Sequence, residues 1–128
     1  VEAIAEAITD ELAEPAPGTS WQDMLDLMSH SFRDLTRAHP AVFRVLLSGE
    51  RPAALVRTAD AVVARLMDHG FGESDATNTF RTFIRYLLGV IVIESDASLS
   101  KSELDATFDS GIALLISGTG ALRTGHSL

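Results

Sequence analysis

The chain has no cysteine, which excludes a disulfide framework and any thiolate metal site and is compatible with the cytosol. Basic side chains are scarce. The 10 Lys and Arg stand against 18 Asp and Glu, a formal charge of −8, and no Lys/Arg cluster of the kind that tracks phosphates is present. Direct nucleic-acid binding by these residues is not expected. Long apolar runs are missing too. The longest uninterrupted one covers Tyr86 to Ile93, whereas a bilayer span needs about 20 residues, so the chain reads as soluble, with no membrane partner. No basic-then-apolar signal segment opens it.

The signatures of catalysis and of metal binding are also absent. There is no G-x-S-x-G elbow and no Gly-rich phosphate loop, and Ser29 and Ser31 around His30 read as helical surface. The histidines His30, His39, His69 and His126 are nowhere three or four residues apart, so no helix face gathers two of them around a metal ion. Each reads as a surface residue. No catalytic residue, metal ligand or cofactor is expected, and an enzyme could arise only from dispersed residues that no motif marks.

What is present is helical periodicity, centred on residues 73 to 95. Wound as a helix at about 1.5 Å per residue, this stretch spans roughly 34 Å, close to the width of a compact domain of this size. Phe80, Phe83, Ile84, Leu87, Val90 and Ile91 fall on one side, and Tyr86, Leu88 and Ile93 widen that arc. Such a broad apolar arc implies burial against more than one neighbour, and a second subunit is a candidate for one of them. The β-branched run Val90 to Ile93 would also suit a buried strand, but no partner strands exist elsewhere.

Around that centre the chain breaks into further helical segments. Residues 1 to 14 are amphipathic, with Val1, Ile4, Ala5, Ile8 and Leu12 on one side, and Pro15 to Gly18 ends them. Because Val1 already lies inside this pattern, a preceding segment is expected to be missing. Thr19 or Ser20 caps a helix over 20 to 38 that carries Trp21, Leu25, Met28, Phe32 and Leu35 on one face, with Met24, Leu27 and Ser31 beside it. His39-Pro40 breaks it and opens a short helix to Leu47 with Val42, Phe43, Leu46 and Leu47. Residues 52 to 69 follow, striped by Leu55, Ala59, Val62, Val63 and Leu66, and His69-Gly70-Phe71 suits a Schellman close. Ser74 and Asp75 are candidate caps for the central helix. Ser100 and Glu103 form a second capping box before a helix over 102 to 117 striped by Leu104, Phe108, Gly111, Ile112 and Leu115, after which the tail is expected to fray. Six helices with short connections and no strand make an all-α bundle, a single domain over residues 1–128.

Three features admit more than one reading. Trp21, Met24, Leu27, Met28, Phe32 and the Phe80 to Leu87 segment combine methionines with aromatics, which suits either a plain core or an adaptable apolar cavity. Glu94 falls on the apolar side of the central helix, where it must reach solvent, pair with an arginine or serve a ligand. Gly89 in mid-helix costs about 1 kcal/mol against Ala, which a close helix approach would offset.

Several stretches resemble the C-terminal effector-binding and dimerisation domain of the tetracycline-repressor (TetR) family of transcriptional regulators. They are P-G-T-S-W at the start of one helix and L-T-R-A-H-P at its end, the A-L and D-H-G-F block, F-I-R-Y-L-L-G-V-I-V-I-E, and F-D-S-G-I-A-L-L-I-S-G. The family's basic helix-turn-helix is absent from these residues, so DNA would be reached only through a domain not present here.

The resemblance implies a cytoplasmic homodimer whose 20 to 38, 52 to 69 and 73 to 95 helices wall a cavity for a small, mainly apolar effector. Trp21, Met24, Leu27, Met28 and Ser31 would line it from one helix, with Val63, Phe80, Phe83, Ile84 and Leu87 from the other two. The 73 to 95 and 102 to 117 helices would pair with their copies through Tyr86, Val90, Ile93, Glu94, Leu104, Phe108, Ile112 and Leu115. Residues 1 to 14 would link the cavity to the DNA reader. A dimerisation module with a packed core and no effector is the alternative.

Overall fold

The structure, a computed structural model, describes residues 14–50, 52–94 and 100–126; the amphipathic segment over residues 1 to 13 lies outside them. Five helices follow one another and, among the described residues, there is no strand: α1 (Trp21–Ala38), α2 (Pro40–Leu47), α3 (Ala53–Asp68), α4 (Glu73–Glu94) and α5 (Lys101–His126). The fold is all-α, as the periodicity implies.

Local chemistry sets most helix ends. Ser20 Oγ accepts from the Asp23 amide at 3.1 Å, which satisfies one of the free donors in the first turn of α1. At its other end His39 leaves the helical conformation ahead of Pro40, which takes the first position of α2. Gly70, at φ +95°, closes α3 in a Schellman motif: the Gly70 amide donates to the Met67 carbonyl at 2.9 Å and the Phe71 amide to Leu66 at 3.1 Å. Phe71 is thereby folded back into the same core cluster as Leu66. Before α5, Glu103 N donates to Ser100 Oγ at 3.3 Å and Ser100 N to Glu103 Oε2 at 3.2 Å, a reciprocal capping box.

Two boundaries differ from the sequence expectation. The cap of α4 is not Ser74 or Asp75, because the Gly72 carbonyl already accepts from the Ala76 amide at 2.8 Å and the helix begins at Glu73. The last helix does not stop at Gly118 and fray but runs to His126. Thr119 Oγ1 donates to the Leu115 carbonyl at 2.8 Å, Gly120 lies against Trp21, and Arg123 donates to the His69 carbonyl at 3.2 Å. Glycine weakens a helix by only about 1 kcal/mol per position, which these anchors outweigh.

The central position of α4 holds: it packs against α3, α1 and α5. Ala76, Phe83 and Leu87 are its buried residues and share one core with Trp21, Met24 and Leu25 of α1, Val62 and Leu66 of α3, Phe71, and Phe108 and Ile112 of α5. Full burial stabilises each large apolar side chain by about 1.5–3 kcal/mol. Helices α1 and α5 run antiparallel, since Trp21 meets Gly120, His30 meets Asp109 and Arg33 meets Asp105. A satellite cluster of Leu35, Val42 and Leu46 ties α2 to the end of α1.

The expected close approach at Gly89 is absent within the chain, where a Cβ would meet nothing within 4 Å. It occurs at Gly111 instead, where a Cβ would collide with the Tyr86 ring. That contact brings α4 and α5 together.

Candidate functional site

The apolar end of the bundle assembles most of the residues expected to line a cavity. Trp21, fixed in the first turn of α1 by the Ser20 cap, meets the Phe71 ring edge-on at 5.3 Å. Met24 is fully buried one turn further on, and Met28, Val63, Phe80 and Ile84 pack around it and around Phe83 and Leu87 in the same cluster. Methionines and aromatics together give a polarizable and deformable lining. Arg123 closes this end, its guanidinium 4.1 Å from the centre of the Phe71 ring and 5.8 Å from that of Trp21.

Two of the expected lining residues lie elsewhere. Leu27 is 40% exposed and Ser31 is half-buried outside the cluster. The buried face of α1 is turned towards Ser29, Arg33 and Thr36, so Ser29 is not helical surface and the flank with Leu27 points to solvent.

Beside the apolar cluster lies a polar clamp that joins three helices. Arg33, buried on α1, donates from Nε to both Glu94 oxygens at 2.9 and 3.0 Å and from Nη2 to Glu94 Oε1. The same Nη2 lies 2.9 Å from Asp105 Oδ1, and the guanidinium stands 4.3 Å from the centre of the Phe108 ring. Arg37 reaches Glu94 Oε1 at 2.6 Å. Burial pulls the Arg33 pKa down, but the Glu94 and Asp105 hydrogen bonds and charges outweigh it and hold the guanidinium above its ordinary value. Tyr86 stacks against Phe108 at 6.3 Å. Burial pushes the pKa of its phenol up, Arg33 works against that shift and Glu94 reinforces it, with a net rise.

The pairing helices need the same sorting. Glu94 faces its own chain, engaged by Arg33 and Arg37. Phe108 and Ile112 are 1% exposed and belong to the chain's own core, so neither has surface left for a twin. Tyr86, Val90 and Leu115 pack on that core with partial exposure, and Leu104 is half-buried. Ile93 is open at 60%, and with it Val92 at 50%, Leu114 at 72% and Leu122 at 66%. The last three were not singled out from sequence, because an exposed apolar residue and a buried one look alike in a pattern. Arg33 escaped notice for the opposite reason, because its neighbours one turn away, Ser29, His30, Thr36 and Arg37, are polar and that side of the helix reads as surface.

An all-α helical domain, with an apolar cluster at one end and open apolar residues on two long helices, is the class this architecture defines. The chain belongs to the tetracyclin repressor-like C-terminal domain family, whose sequence profile matches residues 14–103; it is thus a TetR-family domain concerned with transcription regulation. Among solved structures it is similar to a TetR variant from Acinetobacter baumannii AYE in complex with minocycline, with a TM-score of 0.79 and 28% identity over 95% of this chain and 71% of that one. It is also similar to TetR(class A) in complex with 5a,6-anhydrotetracycline and magnesium, with a TM-score of 0.73 and 31% identity over 94% of this chain and 73% of the other. A possible TetR family regulator from Streptomyces coelicolor A3(2) shares the fold at a TM-score of 0.75 and 21% identity, covering 95% of this chain and 77% of that one. No curated protein matches the chain.

Among the described residues, no helix is long and apolar enough to cross a membrane, and no group of three His, Asp or Glu side chains could hold a metal ion.

Proposed function

We propose that this chain is the effector-sensing and dimerisation unit of a TetR-family transcriptional regulator. A small, mainly apolar molecule occupies the cluster of Trp21, Met24, Met28, Val63, Phe80, Phe83, Ile84 and Leu87, and two copies pair through α4 and α5. What supports the reading is the 31% identity over 94% of the chain with a TetR solved with anhydrotetracycline. The convergence of eight expected lining residues on one cluster from α1, α3 and α4 is consistent with it. Magnesium accompanies the ligand in that relative.

The mechanism is a shift between two arrangements of the dimer. An effector that prefers one of them displaces the segment over residues 1 to 14 and lowers the affinity of the attached DNA reader, with a coupling of about 1–3 kcal/mol. No catalytic group is needed. Trp21 is the single tryptophan of the chain and a member of the cluster, so its emission reports occupancy. Minocycline, anhydrotetracycline and a panel of small hydrophobic compounds are expected to include at least one that quenches Trp21 and raises the melting temperature. If every compound leaves both unchanged, the effector reading fails.

The near-complete burial of Met24, Phe83 and Leu87 favours a second reading, a dimerisation module with a packed core and no effector. It expects a dimer in sedimentation and no response to any compound.

A further inference from the structure

His30 lies midway along α1 and reaches towards α5, its side chain 39% exposed. Its Nδ1 is 2.9 Å from the Asp26 backbone carbonyl and its Nε2 is 2.8 Å from Asp109 Oδ1. The ring also meets Phe108 edge-on at 5.0 Å. A backbone carbonyl can only accept a hydrogen bond, and so can an ionised carboxylate. A neutral imidazole carries one N–H and one bare nitrogen, and would leave one of these contacts as two lone pairs facing each other. Only the imidazolium, with a proton on each nitrogen, satisfies both.

We infer that His30 is a proton-operated latch: protonated in the folded chain, it fastens α1 to α5 through Asp109, and the fastening slackens as the proton is lost. The inference does not depend on the effector reading.

The surrounding charges are consistent with this. On its own helix the Asp26 carboxylate lies 3.5 Å from Nδ1, and Arg33 stands one turn on. That neighbouring cation is neutralised by Glu94 of α4 and Asp105 of α5, so two acidic groups, Asp26 and Asp109, face the ring without a competing free charge. Tyr86 of α4 is separated from it by the Phe108 ring, which both contact. Burial lowers the His30 pKa, but the Asp109 hydrogen bond, the Asp26 carbonyl and the charges of Asp26 and Asp109 together raise it above the usual 6.5. A histidine raised on folding contributes stability that is fully present below its unfolded pKa and is lost as pH rises through the folded one. The latch therefore closes on the acidic side and opens on the alkaline side.

Its position gives it something to act on. Helix α1 carries Trp21, Met24 and Met28, and α5 carries the open residues Leu114 and Leu122. His30 and Asp109 join the two just beyond both groups, on the side of the Arg33–Asp105 contact.

The test is a side-chain 15N titration of the histidines in the whole chain, with His30→Gln to assign the signal and Asp109→Asn to remove the carboxylate. The latch requires a resonance, absent from His30→Gln, whose midpoint lies above 6.5, with both ring nitrogens protonated at about pH 6, and a midpoint that falls in Asp109→Asn. Melting temperatures give a second readout, in which the advantage of the native chain over His30→Gln shrinks between about pH 6 and about pH 8. Should His30→Gln fail to fold, the Asp109→Asn shift decides alone. A midpoint at or below 6.5, a single neutral tautomer at about pH 6, or a midpoint unmoved by Asp109→Asn overturns the inference.

Discussion

Replacing Gly111 with alanine should destabilise this domain, although the same change in most helix interiors would strengthen it. A Cβ on Gly111 would collide with the Tyr86 hydroxyl, stand 2.6 Å from its Cζ and 3.1 Å from its Cε1. The ring cannot swing aside freely, because it stacks on Phe108 and its hydroxyl points at the Phe108 carbonyl at 3.5 Å. Relief of the glycine penalty contributes about 1 kcal/mol, and forcing a methyl into a filled site costs about 1–3 kcal/mol. The net change is a loss of about 0–2 kcal/mol. At Gly89 and Gly118 a Cβ meets nothing within 4 Å of its own chain, so alanine there keeps the full gain of about 1 kcal/mol.

Thermal unfolding should thus rank Gly111→Ala below Gly89→Ala by about 1–3 kcal/mol, or roughly 4–12 °C at about 4 °C per kcal/mol for a domain of this size. Adding Tyr86→Leu to Gly111→Ala should recover part of the loss, a coupling that a double-mutant cycle isolates. If Gly111→Ala melts at or above Gly89→Ala, the contact does not set the approach of α4 and α5.

Three further outcomes follow from the same packing. Arg33→Met leaves Glu94 buried with Arg37 as the one other cation in reach among the described residues, and should cost about 3–5 kcal/mol in urea unfolding, of which the double variant Arg33→Met/Glu94→Leu recovers a large part; a loss below about 1 kcal/mol, the range of an exposed pair, would show that the clamp is solvated. Arg123→Ala removes a cation from the Phe71 and Trp21 rings and a donor from the His69 carbonyl, and should cost about 1–2 kcal/mol with a change in Trp21 emission; unchanged emission would place Arg123 away from the cluster in solution. Leu114→Glu should change the stability of the isolated fold by no more than about 0.5 kcal/mol, as expected for an exposed position, yet convert a dimer to monomers in sedimentation; a dimer that survives the change would mean that this face of α5 is not the interface.

Helix identity was legible because its causes are local. Ser20, Pro40, the Gly70-Phe71 close and the Ser100/Glu103 box act over three to five residues, and a stripe such as Val62 to Leu66 or Phe83 to Leu87 names its own buried face. The all-α class, the central place of α4 and the membership of most lining candidates in one core could be read from spacing alone. Glu94 could be marked as a carboxylate in need of a donor, because its place on an apolar face is itself a local fact.

Which donor answers it is not local. Arg33 lies 61 residues away, and nothing in the spacing distinguishes it from Arg81 or Arg85, which are exposed on α4 itself. The same holds for Arg123 over Phe71, which carries α5 past Gly118, and for His30 against Asp109, 79 residues apart. It holds for the close approach too, which belongs to Gly111 and not to Gly89. A periodic pattern reports that a face is apolar, while the way two helices are rotated against each other decides which of its residues touch. That rotation, fixed by the antiparallel docking of α1 on α5 and of both on α4, buried Phe108 and Ile112 within the chain and left Ile93, Leu114 and Leu122 open.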